Sequence, residues 1–266
     1  MKVIDPEVIL APFDAEAQLH VTALALRQRK ANGLLMRVIN FAGGQVEDGL
    51  KLLPKGTRSQ IEAAARSALT QSYEMASRSR GAGWGAVGRS LSSDRAHKVL
   101  GTISGALGGL GGLPTALAEL PVATTVIFRA VQGVAEQYGE DPISAETRME
   151  CLRVFGSGGP GEQDDGVDTS FFGARLSLTG PALHSLIGKI APRFATILGQ
   201  KLASQAVPVI GAAAGAGTNY AFIDYYVEMA HVHFGLRQAV RAHGEDKVLT
   251  HFHKVLAEGK VPVNRA

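Results

Sequence analysis

Apolar residues along this 266-residue chain recur at three- and four-residue intervals, and no stretch sustains an alternation of apolar and polar positions. That spacing belongs to helices with one buried stripe and leaves no candidate sheet. The expected fold class is all-α, a single compact multi-helix domain. Its clearest element starts at Thr57. Thr57 and Gln60 have capping-box spacing, and Ile61, Ala64, Ala65, Ala68, Leu69 and Met75 then line one face, with Glu62, Arg66 and Glu74 off it. Upstream, Asp14 is a good cap for a helix that Asn32 and Gly33 would stop. A further helix is expected over 34–53, ending at Pro54. Ser144 predicts the cap of a helix through Arg148 and Leu152 that stops at Gly156. Pro181, Pro192 and Pro208 predict breaks or kinks. A long helix is expected to include Tyr220 to His243 and to be stopped by Gly244, and the residues after Ala257 read as a tail.

From Gly156 to Asp168 the chain reads GSGGPGEQDDGVD, too rich in glycine and acid for a helix. This is the best internal boundary. The organisation expected is an N-terminal helical extension over 1–33, a helical domain over 34–244 with an internal loop at 156–168, and a C-terminal helix and tail over 245–266.

Only uncharged residues lie between Lys98 and Glu119, and again between Lys201 and Asp224. Each stretch reaches the ~20 residues a bilayer crossing requires. Their apolar side chains are sparse: the seven from Val99 to Leu117 contribute about −2 to −4 kcal/mol to insertion. Glycine spacing is the stronger signal. Gly101, Gly105 and Gly109 repeat every four residues, as do Gly108 with Gly112 and Gly211 with Gly215, which clears one helical stripe for close backbone approach. Glycine inside a helix costs about 1 kcal/mol relative to alanine, so a contact must offset it. Two glycine-rich helices packed centrally are expected. Tight packing in a core leads, with reversible lipid contact or a two-span membrane protein as alternatives. Of the polar residues in and beside this apolar material, Glu119, Arg129 and Asp224 are expected to meet partners across helices, because an isolated buried charge is too costly; Asn219 and Arg237 are expected to be buried polar or functional positions with them.

Composition narrows the classes. With 45% hydrophobic and 19% charged residues the chain is neither disordered nor collagen-like, and one cysteine, Cys151, excludes a disulfide scaffold. Acids at Asp5, Glu7, Asp14 and Glu16 interrupt any secretory start, so a cytoplasmic location is expected. A net charge of +3 is too mild for a nucleic-acid binder. One basic concentration stands out: Arg78, Arg80, Arg89, Arg95 and Lys98 around Trp84, either a contact with an anionic membrane surface or a solvated loop.

Tests for catalytic motifs are mostly negative. Gly83, Gly85 and Gly88 match GxGxxG, but a helix rather than a strand precedes them. Gly188–Lys189 lacks the rest of a phosphate loop, and neither a GxSxG elbow nor an HExxH helix is present. His231 with His233, and His251 with His253, stand about 200° apart on a helix and cannot chelate one ion as pairs; they read as helix-end or surface histidines. Glu162, Asp164, Asp165 and Asp168 suit capping of the next helix or, as an alternative, a divalent-ion or acid-pair site. Cys151 is expected to be a small buried residue, and no cofactor or metal is expected.

Several ordered strings, LPKGTRSQIEAAARSAL, SDRAHKVLGTISGALGGLGGLP, AELPVATTVIFRAV, YGEDPISAETRMECLRVFGSGG and QAVPVIGAAAGAGTNYAFIDYYVEMAHVHFGLR, together with the Asp164–Asp165 pair and Arg175, resemble the EcsC protein family over about 34–244. The family takes its name from a component encoded beside an ABC transporter. The resemblance implies membrane association, carries no catalytic residues, and makes Glu119, Pro121, Arg129, Asp164, Asp165, Arg175, Asn219, Asp224, His233 and Arg237 family-pattern positions. The leading expectation is a non-enzymatic helical protein on the cytoplasmic face of a membrane. Its partner would be membrane lipid or a membrane protein, and Arg78, Arg80, Trp84 and Arg89 would form the surface contact. The alternatives are a hydrolase-like enzyme using Asp164 and Asp165 with Arg175 or His233, and a protein-interaction module.

Overall fold

The computed structural model describes residues 10–43, 56–78, 112–157, 180–205 and 211–258. Among these residues there are seven helices and no strand: α1 (Ala15–Gly43), α2 (Thr57–Arg78), α3 (Gly112–Gln137), α4 (Ala145–Phe155), α5 (Gly180–Gln205), α6 (Gly211–His243) and α7 (Glu245–Glu258). The all-α expectation holds.

Local chemistry sets several ends as the sequence predicts. Asp14 Oδ1 accepts from Ala17 N at 3.0 Å at the start of α1. Ser144 caps α4, its hydroxyl accepting from Thr147 N, and Gly156 closes that helix. Helix α6 stops at Gly244, whose φ of +90° lies in the left-handed region that favours glycine.

Two expected helix interruptions are absent. Helix α1 runs without interruption through Asn32 and Gly33 to Gly43, so the expected stop and the separate helix at 34 merge into one element. Asparagine and glycine weaken a helix by only about 0.5–1 kcal/mol each, which tertiary packing overrides; α1 packs along α6, α7 and α5. Pro192 sits inside α5, and Pro121 inside α3. Helix α6 includes Tyr220 to His243 as expected, and by beginning at Gly211 it also takes in the second glycine run. The side chains of that run, residues 101–111 and residues 158–179 lie outside the described residues. How the expected glycine stripes pack lies there too.

Helix α6 is the axis of the fold, packing against α1, α3, α4, α5 and α7. From Ala221 to Leu236 its buried side chains include Tyr225, Tyr226, Met229 and Phe234, because neighbours cover it on several sides. An aromatic cluster ties it to the helices around it. The Phe155 ring lies 5.0 Å from Tyr226 and 5.3 Å edge-on from Phe194, and Phe128 stacks on Phe155 at 6.0 Å. Each such pair adds about 0.5–1.5 kcal/mol beyond the area it buries. The Tyr225 hydroxyl donates to the Ser157 carbonyl at 3.3 Å.

At Gly235 the Leu24 side chain of α1 closes onto the backbone of α6. A methyl there would lie 2.8 Å from Leu24 Cδ2, so the absent side chain is what lets α1 and α6 nestle. On α2, Ile61, Ala65, Ala68 and Leu69 are buried as the periodicity predicts, whereas Met75, expected on that face, is 51% exposed.

Candidate functional site

The most concentrated chemistry among the described residues is an ionic cluster between α4 and α6. Helix α4 reads AETRMECLRVF, which places Glu146, Glu150 and Arg153 at intervals of four and three residues, on one face. His233, Arg237 and Arg241 follow at four-residue intervals on α6. The two rows meet. Glu150 Oε1 accepts from Arg153 Nη1 at 2.7 Å and forms an ion pair with Arg237 Nη1 at 3.0 Å, while Oε2 accepts from His233 Nε2 at 2.9 Å. Arg237 also donates through Nε to Glu140 Oε1 at 3.0 Å and through Nη2 to Glu146, and Arg241 Nη2 reaches Glu140 Oε1 at 2.6 Å.

Glu140 comes from the turn between α3 and α4. That turn opens at Gly139 with φ +78° and is held by Gln132, whose buried amide donates to the Pro142 carbonyl at 2.6 Å. Three carboxylates thus face three guanidiniums and one imidazole. Of these, the Glu150, Arg153 and His233 side chains are 6%, 4% and 2% exposed, and Arg241 and Glu146 carry the cluster out to solvent.

Electrostatics follow from the packing. Burial alone would raise the Glu150 pKa, but the hydrogen bond from His233 and the charges of His233, Arg153 and Arg237 outweigh it, holding the carboxyl below its ordinary value. Burial works to lower the Arg237 pKa, yet Glu150, Glu140 and Glu146 raise it above the usual guanidinium value. The adjacent Cys151, fully buried as expected, has its thiol pushed well up by desolvation and then by Glu150 and Glu140. A thiol in that state is a poor nucleophile.

A second pair joins α1 to α6. Arg27 binds both carboxylate oxygens of Glu228, through Nε and through Nη2 at 3.2 Å. Nearby, the Tyr138 hydroxyl lies 3.4 Å from His231 Nδ1. Burial raises the Tyr138 phenol, Arg27 opposes that, and Glu228 adds to it.

The histidines predicted at helix ends or on the surface are distributed otherwise. His231 and His233 point to opposite sides of α6, as their spacing requires, but both are buried, one beside Tyr138 and the other against Glu150. They lie in the middle of a helix that is covered on several sides, which the two-residue spacing does not reveal. His251 is half-buried and meets Thr22 Oγ1 at 2.9 Å, and His253 is exposed. No three His, Cys, Asp or Glu side chains converge as metal ligands among the described residues.

The other predicted site residues fare unevenly. Arg129 reaches across helices, but to a main-chain carbonyl: its Nη2 donates to Met75 O at 3.1 Å and its Nη1 to Gln132 Oε1 at 3.2 Å. Asp224 is half-buried on α6. Glu119 lies in α3, Asn219 in α6 and Arg78 at the end of α2, with their side chains outside the described set. Asp164, Asp165, Arg175, Arg80, Trp84 and Arg89 fall outside the described residues altogether.

Glu140, Glu146, Glu150, Arg153 and Arg241 were not among the residues expected to form a site. The signal for most of them was the pair of matching rows, acidic on α4 and basic on α6; Glu140, in a turn, offered none.

A family model described as the EcsC protein family matches residues 27–166 and 174–238. The chain belongs to the EcsC protein family. The match begins inside α1, at Arg27, and ends just past Arg237, so it encloses the whole of the Glu150 cluster except Arg241. No curated protein and no solved structure matches this EcsC chain.

Both Glu150 oxygens are engaged and its side chain is 6% exposed, so a substrate could reach it only by displacing a guanidinium or His233. A general base must lie within hydrogen-bond reach of its substrate. In this arrangement the cluster clamps α4 to α6.

Proposed function

We propose that this EcsC-family chain is a non-enzymatic helical protein that associates peripherally and reversibly with membrane lipid at the cytoplasmic face, as an accessory to a transporter or envelope process. The observation that carries the reading is the outward side of α1. At about 100° per residue, Ala15, Leu19, Ala23, Leu26, Lys30 and Gly33 fall on one line, and every one of them is exposed. Leu19 is 71% and Leu26 50% exposed. Only one charge, Lys30, stands on that line. Scattered exposed leucines are ordinary, but two on one line with a cation below them suit an interfacial contact.

Magnitudes favour a reversible association. Returning two leucines of this exposure to hydrocarbon supplies about 2–4 kcal/mol, less than stable anchoring needs, so basic residues must add to it at roughly 1 kcal/mol each. No helix among the described residues is long and apolar enough to cross a membrane, which agrees with a surface contact. The closed Glu150 cluster supports the non-enzymatic part.

Flotation of the full chain with phosphatidylglycerol-containing vesicles tests the proposal. Co-flotation at low salt is expected, and Leu19→Glu with Leu26→Glu should abolish it while leaving the melting temperature near that of the parent, since exposed substitutions usually change stability by less than about 0.5 kcal/mol. Absence of flotation at low salt, or full flotation of the variant, overturns it.

A further inference from the structure

We propose that, away from the membrane, the exposed line of α1 is covered by a second copy of this chain, the two α1 helices lying antiparallel about a twofold axis at Ala23. This goes beyond the membrane reading. The same leucines cannot face a second copy and lipid at once, and each contact is tested without the other.

Val21, Leu24, Ala25 and Ala31 are buried, so the line opposite them points outward. Ala23 sits near its middle, exposed, and its short side chain allows two helices to approach closely. Leu19 precedes it by one turn and Leu26 follows it by one, both exposed. Glu16 and Lys30 stand two turns out on either side, exposed as well. At 100° per residue, Leu26, Lys30, Ala23 and Glu16 fall at about −20°, +20°, +40° and +60° from Leu19. Glu16 and Lys30 therefore share one flank of the leucine line.

A twofold axis at Ala23 sets each position level with the one equally far beyond Ala23 in the second copy, and it keeps each flank on its own side. Glu16 then meets Lys30 of the second copy, and Lys30 meets its Glu16. Leu19 comes level to within about 1.5 Å of Leu26 of the second copy, so four leucines close on one another between two pairs of opposite charges. A parallel pairing would set Glu16 against Glu16 and Lys30 against Lys30, and like charges so placed exclude it. Both charges are available for such a contact. Arg27, on the same flank, is taken by Glu228, whereas among the described residues neither Glu16 nor Lys30 has an ion pair within its own chain.

From Ala15 to Gly33 the line is about 27 Å long, and one helix pair of that length falls below the ~1,200 Å² of a standard interface. The dimer is accordingly weak, half-formed near roughly 100 µM.

Sedimentation equilibrium of the full chain over a concentration series tests it, with monomer expected when dilute and an approach to dimer mass when concentrated. Glu16→Lys or Lys30→Glu alone should raise the dissociation constant roughly tenfold, because two matched pairs become two like-charged ones. Combining both substitutions in one chain should restore association, and so should mixing the two single variants. Oxidative cross-linking reads the register. Ala23→Cys should cross-link to its own copy, while Glu16→Cys and Lys30→Cys should cross-link only when mixed, since each lies about 21 Å along the axis from its own counterpart. Buried Cys151 stays out of the reaction. A parent that stays monomeric, a combined variant as weak as the single ones, or self-cross-linking of Glu16→Cys as fast as that of Ala23→Cys overturns the dimer. Flotation of such a chain with vesicles leaves the membrane reading standing, and a dimer that never floats upholds the twofold and removes the membrane reading.

Discussion

Glu150 and His233, 83 residues apart in sequence, meet at 2.9 Å with both side chains almost entirely buried, and that contact closes α4 onto the central helix. Arg153 and Arg237 complete the carboxylate's coordination. Burying a charged group is unfavourable unless it is fully matched, and removing one member of such a set costs about 3–5 kcal/mol because the others stay behind without it.

Glu150→Gln should therefore destabilise the chain by about 3–5 kcal/mol, lowering the melting temperature by roughly 6–20 °C for a chain of this size. Differential scanning calorimetry at neutral pH is the check. A fall no larger than that of an exposed control such as Glu258→Gln would mean that the cluster is not a clamp.

The same carboxylate sets a pH dependence. Its folded pKa is depressed below the ordinary glutamate value, so the stability it contributes is fully present above the unfolded pKa and is lost as pH falls through the folded one. Urea midpoints measured from neutral pH down through the carboxylate range should fall for the parent. The Glu150→Gln protein, which has already lost this contribution, should show a shallower acid limb. Superimposable slopes would contradict the assignment.

Cys151 is fully buried with a raised thiol pKa, and thiolate is the reactive form. Ellman's reagent should leave the native protein unmodified over hours and react with one equivalent on unfolding. In the Glu150→Gln protein the native-state reaction should accelerate, because opening of α4 from α6 becomes less costly. Fast stoichiometric labelling of the parent would contradict the packing.

Gly235 offers a test of the contact between α6 and Leu24 whose sign can be reversed. Alanine gains about 1 kcal/mol of helix propensity there, but its methyl would sit 2.8 Å from Leu24 Cδ2, and overpacking costs about 1–3 kcal/mol. A net loss of up to about 2 kcal/mol is expected in the parent. In a Leu24→Ala background the obstacle is gone, and Gly235→Ala should become stabilising. The same sign in both backgrounds would place the α1–α6 contact elsewhere.

The fold class, the caps at Asp14 and Ser144 and the stops at Gly156 and Gly244 were legible because each follows from local chemistry within a turn of the chain. The stop at Asn32–Gly33 was a misreading of the same kind of signal: α1 continues because its neighbours hold it, and pairwise packing is invisible to a local rule. Arg237 stood out as a family-pattern position, and His233 as that and as a surface or helix-end histidine with a possible part in catalysis. Their role needed Glu150, which the sequence showed only as the neighbour of Cys151. Complementary rows on α4 and α6 were readable as spacing, but which rows face each other is decided by topology. The exposed line of α1 likewise emerges only once its opposite face is known to be buried.

The most direct test of membrane association uses the chain's own chemistry, since buried Cys151 leaves an engineered surface cysteine as the reactive one. Leu26→Cys on α1 and, as reference, His253→Cys on α7 are each labelled with an environment-sensitive fluorophore and titrated with phosphatidylglycerol-containing vesicles. A blue shift and gain in intensity are expected at position 26, with position 253 unchanged. An unchanged spectrum at position 26, or equal shifts at both, would contradict it.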